Sequence, residues 1–250
     1  MTTRRARQEP ARRPAFYAAP AGGWRDWWTL MHPPYTAWHL SYVVIGACLA
    51  PVVHTDRLIA TLLAFFFAVG VAAHALDELH GRPLRTGIPT AALVAVSVVG
   101  IAVAVGLGVV GLHRVGWPLV PFILIGPLLV VAYNAEWFGG LVHTDAGFAL
   151  AWGAFPVLTA YVAETSRLSW AAVMAAVAAF GLSTAQRSLS MPARFVRRSV
   201  EQVEGTMVGT DGATQEISAQ TIIAPLERAL RSMSWSIALL AAALAVARLA

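Results

Sequence analysis

The chain has 250 residues, of which 58% are hydrophobic and only 12% charged, against about 25% charged in an ordinary soluble domain. That deficit excludes a water-soluble globule and calls for a solvent that tolerates apolar surface, namely lipid. The formal net charge of +5 rests on Arg alone, since Lys is absent; the Arg residues flank apolar stretches, so they argue for membrane orientation and against nucleic-acid binding.

Residues 1–23 are rich in Arg, Pro and Ala and contain no apolar run. They predict a disordered cytoplasmic tail rather than a cleavable signal peptide. Trp24, Trp27 and Trp28 follow and fit an interfacial aromatic belt. Residues 24–250 then read as one transmembrane domain. A spanning helix needs roughly 17–25 mainly apolar residues, and seven stretches qualify: 35–53, 58–76, 89–112, 115–133, 146–163, 168–185 and 233–249. The expected fold is therefore all-α, a polytopic helix bundle of about seven spans. Pro33 and Pro34 give the first span a stiff entry. The lone Cys48 sits inside it and excludes an internal disulfide. Pro121, Pro127 and Pro156 fall within spans, where neighbouring groups can satisfy the freed carbonyls. Residues 186–232 carry six Arg, four Glu and one Asp, and are expected to form a partly helical cytoplasmic loop.

Orientation follows from counting Arg. With the N-terminus inside, 14 of the 18 Arg lie inside and four, Arg57, Arg114, Arg167 and Arg248, lie outside. The positive-inside rule then favours a cytoplasmic N-terminus. An odd number of spans puts the C-terminus outside. The expected location is a prokaryotic plasma membrane.

The densest polar stretch runs from His74 to Arg85. His74, Asp77 and Glu78 stand at i, i+3 and i+4 and share a helix face. Such a face can hold a divalent cation, with Asp77 and Glu78 as ligands, or aim a base into a cavity. Arg82 and Arg85 follow within reach of an anionic group. The bland reading is a set of polar residues marking the water boundary and pairing among themselves. The loop after the fourth span holds Asn134, Glu136, His143 and Asp145. Glu136 and Asn134 are candidates for binding a second substrate, although helix capping by Asn134 and Asp145 is the plainer use. Trp137, Phe138, Trp152 and Phe155 read as packing residues or the lining of a hydrocarbon pocket.

Arg82-Pro83-Leu84-Arg85-Thr86-Gly87 resembles the R-P-L-x-x-G segment of the UbiA superfamily of intramembrane prenyltransferases. Asp77 falls at the second Asp of that family's first Asp-rich motif. His32-Pro33-Pro34-Tyr35-Thr36, Gly46, Tyr133-Asn134 and Gly147–Pro156 match in order and spacing, so the resemblance covers roughly residues 24–200. It implies an isoprenyl diphosphate bound through Mg²⁺ held by two Asp clusters, and transfer or cyclisation of the isoprenyl chain. The chain also departs from the family. Ala73 and His74 replace the Asn and first Asp, the third Asp position is Gly81 or is deleted with a shortened loop, and Ser183–Arg194 carries no acid where the second motif belongs. The family has nine helices against seven here. Mg²⁺ prefers hard oxygen ligands, so the loss shifts the expected neutralisation of diphosphate to Arg82, Arg85, Arg187 and Arg194. Two rivals stand beside this reading. One is a non-catalytic relative that binds a lipid or a membrane partner; the other is a small transporter.

Overall fold

The computed structural model describes residues 13–250, apart from the side chain of Phe138. A short helix α1 (Trp24–Leu30) lies before α2 (Pro33–Cys48). Then come α3 (Thr55–Leu79), α4 (Thr90–Val115), α5 (Trp117–Asn134) and α6 (Asp145–Thr165). A long α7 (Trp170–Ser199) leads to a hairpin of β1 (Gly205–Val208) and β2 (Thr214–Ile217), and α8 (Ala219–Leu249) completes the bundle.

Five of these helices, α3, α4, α5, α6 and α8, are long and apolar enough to cross a membrane. That supports an integral membrane protein with a helical bundle. The other two expected spans are helical too but do not meet the same measure. Helix α2 has 16 residues, about 24 Å at 1.5 Å per residue, short of a hydrocarbon core of about 30 Å. Helix α7 has 30 residues but carries four Arg in its second half. The polar region after residue 185 is thus not one loop. It comprises the end of α7, the hairpin and the first turns of α8.

Helices α2 to α8 run back and forth between two ends. The end holding residues 49–54, 115–116 and 165–169 is tied by side chains donating to helix-terminal carbonyls, which otherwise lack partners. Arg57 donates to the carbonyls of Ala163, Glu164 and Arg114 at 3.2, 3.1 and 3.0 Å. Ser166 Oγ donates to Val115 at 2.7 Å, and Arg248 to Ala50 and Pro51. Glu164 accepts from the His54 amide at 2.8 Å. All four Arg expected outside, Arg57, Arg114, Arg167 and Arg248, therefore gather at this end.

Small residues set how closely the rods approach. A Cβ on Gly46 would stand 2.3 Å from the Val157 carbonyl oxygen, and one on Gly153 would stand 2.7 Å from that of Ala179. Helix α2 thereby seats directly on α6, and α6 on α7, as small-residue faces permit. Trp38 and Tyr42 fill the centre. Trp38 Nε1 donates to Tyr42 Oη at 2.6 Å, which also accepts from Ser183 at 3.3 Å.

Residues 13–23, part of the expected disordered tail, pack on the bundle instead; residues 1–12 lie outside the described residues. Tyr17 packs tilted against His32 and edge-to-face against Tyr35, with ring centroids 5.1 and 5.5 Å apart. The Pro14 carbonyl accepts from Arg198 at 3.3 Å. The apolar and aromatic character of Ala15-Phe16-Tyr17-Ala18 explains the docking.

Candidate functional site

Two helices lose their α-helical register in mid-course. Helix α3 widens to a π-helix over Phe66–Ala73, and α6 does so over Leu150–Ala154. Pro156 accounts for part of the second. It has no N–H to return to the carbonyl four residues earlier, that of Trp152. His39 Nδ1 takes that oxygen at 3.0 Å. In the first, His74 Nδ1 lies 3.2 Å from the Gly70 carbonyl oxygen. Such bulges often mark functional sites, and here both border one cavity.

That cavity, of about 360 Å³, lies at the Arg-rich end. Helix α2 contributes Tyr35 and His39, with His32 just before it. Helix α3 contributes His74 and Asp77. Helix α5 and its following loop add Tyr133, Asn134 and His143, and α7 adds Arg187, Arg194 and Arg198. Positions 187, 194 and 198 recur at about two and three turns and so share one face of α7. Three guanidinium groups thus face a single carboxylate, that of Asp77. Arg187 is 10% exposed; its Nε donates to Asp145 at 2.8 Å and its guanidinium lies 5.2 Å from the Phe148 ring centroid. Arg194 makes only 3.4 Å contacts, with Ser190 and Met191, and is the least committed of the three.

Three buried polar atoms on this lining, His32 Nε2, Tyr133 Oη and Gln186 Oε1, have no hydrogen-bond partner. Buried polar groups ordinarily find a partner in protein or ordered water, and these three lie together on the wall of this cavity. Burial, and then the neighbouring His74 ring 4.1 Å away, hold the His32 pKa well below its usual value.

The other expected site residues are elsewhere. Glu78 is fully buried, and its carboxylate accepts from the Leu84 amide at 2.9 Å, the Thr86 amide at 2.9 Å and the Thr86 hydroxyl at 2.8 Å. It anchors the 80–88 loop and does not line the cavity. Arg82 donates to the Ile88 carbonyl at 2.6 Å and to Thr90 Oγ1 at 2.8 Å, serving the same loop. Arg85 is exposed and off the lining. Glu136 is also exposed, 3.8 Å from His80. Asn134 lines the cavity but spends its Nδ2 on the Val130 carbonyl at 2.7 Å. Thr144, rather than Asp145, caps α6, accepting from the Gly147 amide at 3.0 Å. Glu78 and Arg82 thus have their oxygens and guanidinium nitrogens engaged by the 80–88 loop, and Arg85 and Glu136 lie off the cavity lining. Arg198, His32, His39, His143 and Gln186 also lie on the lining, although none was assigned a role from the sequence.

The residues do not fit the pair of Mg²⁺ ions that the family resemblance implies. Asp77 is the sole carboxylate on the lining, and among the described residues no three of His, Cys, Asp and Glu gather to hold a metal ion.

A second cavity, of about 330 Å³, lies between α3, α4, α5 and α6. Ala64, Ala68, Ala104, Gly108 and Gly126 leave the space open, and its walls are largely apolar. Trp152 lines both cavities and stands between the polar and the apolar one. The chain matches no protein-family model, no curated protein and no solved structure.

Proposed function

We propose that the chain is a seven-span, UbiA-like membrane protein that binds a prenyl diphosphate and transfers or cyclises its isoprenyl chain. The observation that carries this reading is the three-Arg face of α7 turned on a cavity with one carboxylate. Guanidinium groups recognise phosphate oxygens in pairs. Inside a low-dielectric cavity they also stabilise a diphosphate that leaves with growing negative charge. The apolar cavity beyond Trp152 suits a hydrocarbon tail. Arg187, Arg194 and Arg198 hold the diphosphate in this reading, and Asp77 has at most an accessory part.

Isothermal titration of the purified protein with inorganic pyrophosphate and with farnesyl diphosphate, with and without EDTA, tests it. Binding that survives EDTA is the expected result. Binding abolished by EDTA would restore a metal mechanism centred on Asp77. No binding in either condition would remove the diphosphate reading. Binding without turnover would favour the non-catalytic relative, for which the single lining carboxylate already speaks.

In this arrangement the Arg-rich end faces the cytoplasm, because 14 of 18 Arg then lie inside. In a Cys48→Ser background, a Ser199→Cys variant should resist impermeant thiol reagents added to intact cells and react in inverted vesicles. Ready labelling from outside would reverse the topology.

A further inference from the structure

Four of the chain's seven histidines line the polar cavity: His32, His39, His74 and His143. Three share one bonding pattern. His39 Nδ1 meets the Trp152 carbonyl at 3.0 Å, His74 Nδ1 that of Gly70 at 3.2 Å, and His143 Nδ1 that of Tyr133 at 2.8 Å. A carbonyl oxygen only accepts, so Nδ1 carries the proton in each ring. A neutral imidazole then presents a bare lone pair at Nε2. The backbone supplies these carbonyls through its own irregularities. Gly70 and Trp152 sit in the π-helical stretches, and Tyr133 sits in the last turn of α5, where carbonyls lack intrahelical partners. The tautomers are thus set by the fold.

His39 and His74 are 3% and 8% exposed. The His–carboxylate pairs among the described residues are those of His54 and His80, so neither buried ring is held charged by an acid. His39 is bound to the backbone of Trp152, and its ring lies 5.8 Å from that of Phe148. A base there stands on the aromatic side of the cavity, where a hydrocarbon cation would be sheltered by ring faces. His143 is only half-buried, and its ring is stacked on Tyr133 at 4.5 Å.

We infer that His39 and His74 are the proton acceptors of this cavity, taking the proton that an isoprenoid cation must shed. The inference rests on the prenyl diphosphate reading and assigns its last step. The allylic C–O bond breaks, and its electron pair leaves with the diphosphate. The cation takes up π electrons from its own chain or from an acceptor. A C–H bond next to the new cationic centre then gives its proton to Nε2, whose lone pair forms the N–H bond, and the C–H pair becomes the C=C bond. The imidazolium passes its proton to the departing diphosphate or to water. No oxidant or reductant is required.

His39→Asn and His74→Asn separate the two functions of each ring. The Asn amide can still donate to the backbone carbonyl but offers no basic nitrogen; His→Gln variants serve where Asn does not fold, folding being judged by thermal unfolding followed by circular dichroism. In nanodiscs holding ¹⁵N-histidine-labelled protein, the resonances missing from each variant identify the two rings. Both are expected as the Nδ1–H tautomer with Nε2 unprotonated at neutral pH. An Nε2–H tautomer or an imidazolium on both rings overturns the proposal. In single turnovers of geranylgeranyl diphosphate, products are counted per diphosphate released. The ratio of deprotonated products to water-quenched alcohols should fall by about 100-fold, the scale of a lost general base. An unchanged ratio in both variants overturns the base role and leaves diphosphate binding intact. Absence of diphosphate release by the wild type removes the prenyl-transfer reading, and the base role with it.

Discussion

Arg194→Ala is expected to weaken binding of pyrophosphate and farnesyl diphosphate alike, by roughly 10- to 100-fold. The estimate is the loss of one charge-assisted contact, about 1.5–3 kcal/mol, at 1.4 kcal/mol per tenfold. Arg194 is the apt position because its 3.4 Å contacts leave its guanidinium nearly uncommitted. Its removal takes little from the fold, whereas Arg187 also steadies Asp145 and Phe148. Arg197→Ala is the matched control. Arg197 stands one helical step from Arg198 but pairs with both oxygens of Glu227, at 2.5 and 2.7 Å, and is off the cavity lining. Titration should show affinity unchanged in Arg197→Ala. Equal losses in the two variants would mean that affinity follows bulk positive charge and not the cavity.

The second large effect is on stability. Glu78→Ala should lower the thermal unfolding temperature steeply, by the equivalent of about 3–5 kcal/mol, the scale for breaking a buried charged network. The side chain is fully buried, and its three donors, two of them main-chain amides, would lose their acceptor. Buried amides left without one are costly. Glu78→Gln keeps one oxygen and should fall between. Asp77→Asn, at the adjacent position on the cavity, should leave the unfolding temperature near that of the wild type. Unfolding followed by circular dichroism in detergent decides it. An unperturbed Glu78→Ala would show that the 80–88 loop is held by other contacts.

The contrast between Asp77 and Glu78 also shows how far the residues alone could be read. The apolar runs announced the rods, because lipid and bundle interior both demand apolar side chains. Spacing placed His74, Asp77 and Glu78 on one helix face. A face about a third of a turn wide has two edges, however, and the chain doubles back after Gly81 so that the loop claims one of them. Arg82 follows the same logic, since its partners at Ile88 and Thr90 exist only once the loop folds. Arg187 and Arg194 were legible as positive charge where an acidic motif was expected, but Arg198 was masked by Arg197 beside it. His39 was hidden for another reason. The carbonyl that fixes its ring belongs to Trp152, 113 residues away, and is freed by Pro156 on a different helix. No local pattern joins those three residues.

The wall formed by Trp152 gives the molecule a direction. On the prenyl diphosphate reading, a diphosphate in the polar cavity meets, beyond that indole, a largely apolar space whose charged lining residues, Asp56, Arg57 and Arg114, belong to the opposite end of the bundle. An ion pushed into its apolar stretch would lose hydration before reaching any of those groups, at a cost of several kcal/mol. On that reading the released diphosphate returns through the polar cavity, whose lining holds Arg187, Arg194 and Arg198. Turnover of this kind is one-sided: the hydrocarbon can drift off into the bilayer, while the phosphate chemistry begins and ends in a single aqueous compartment.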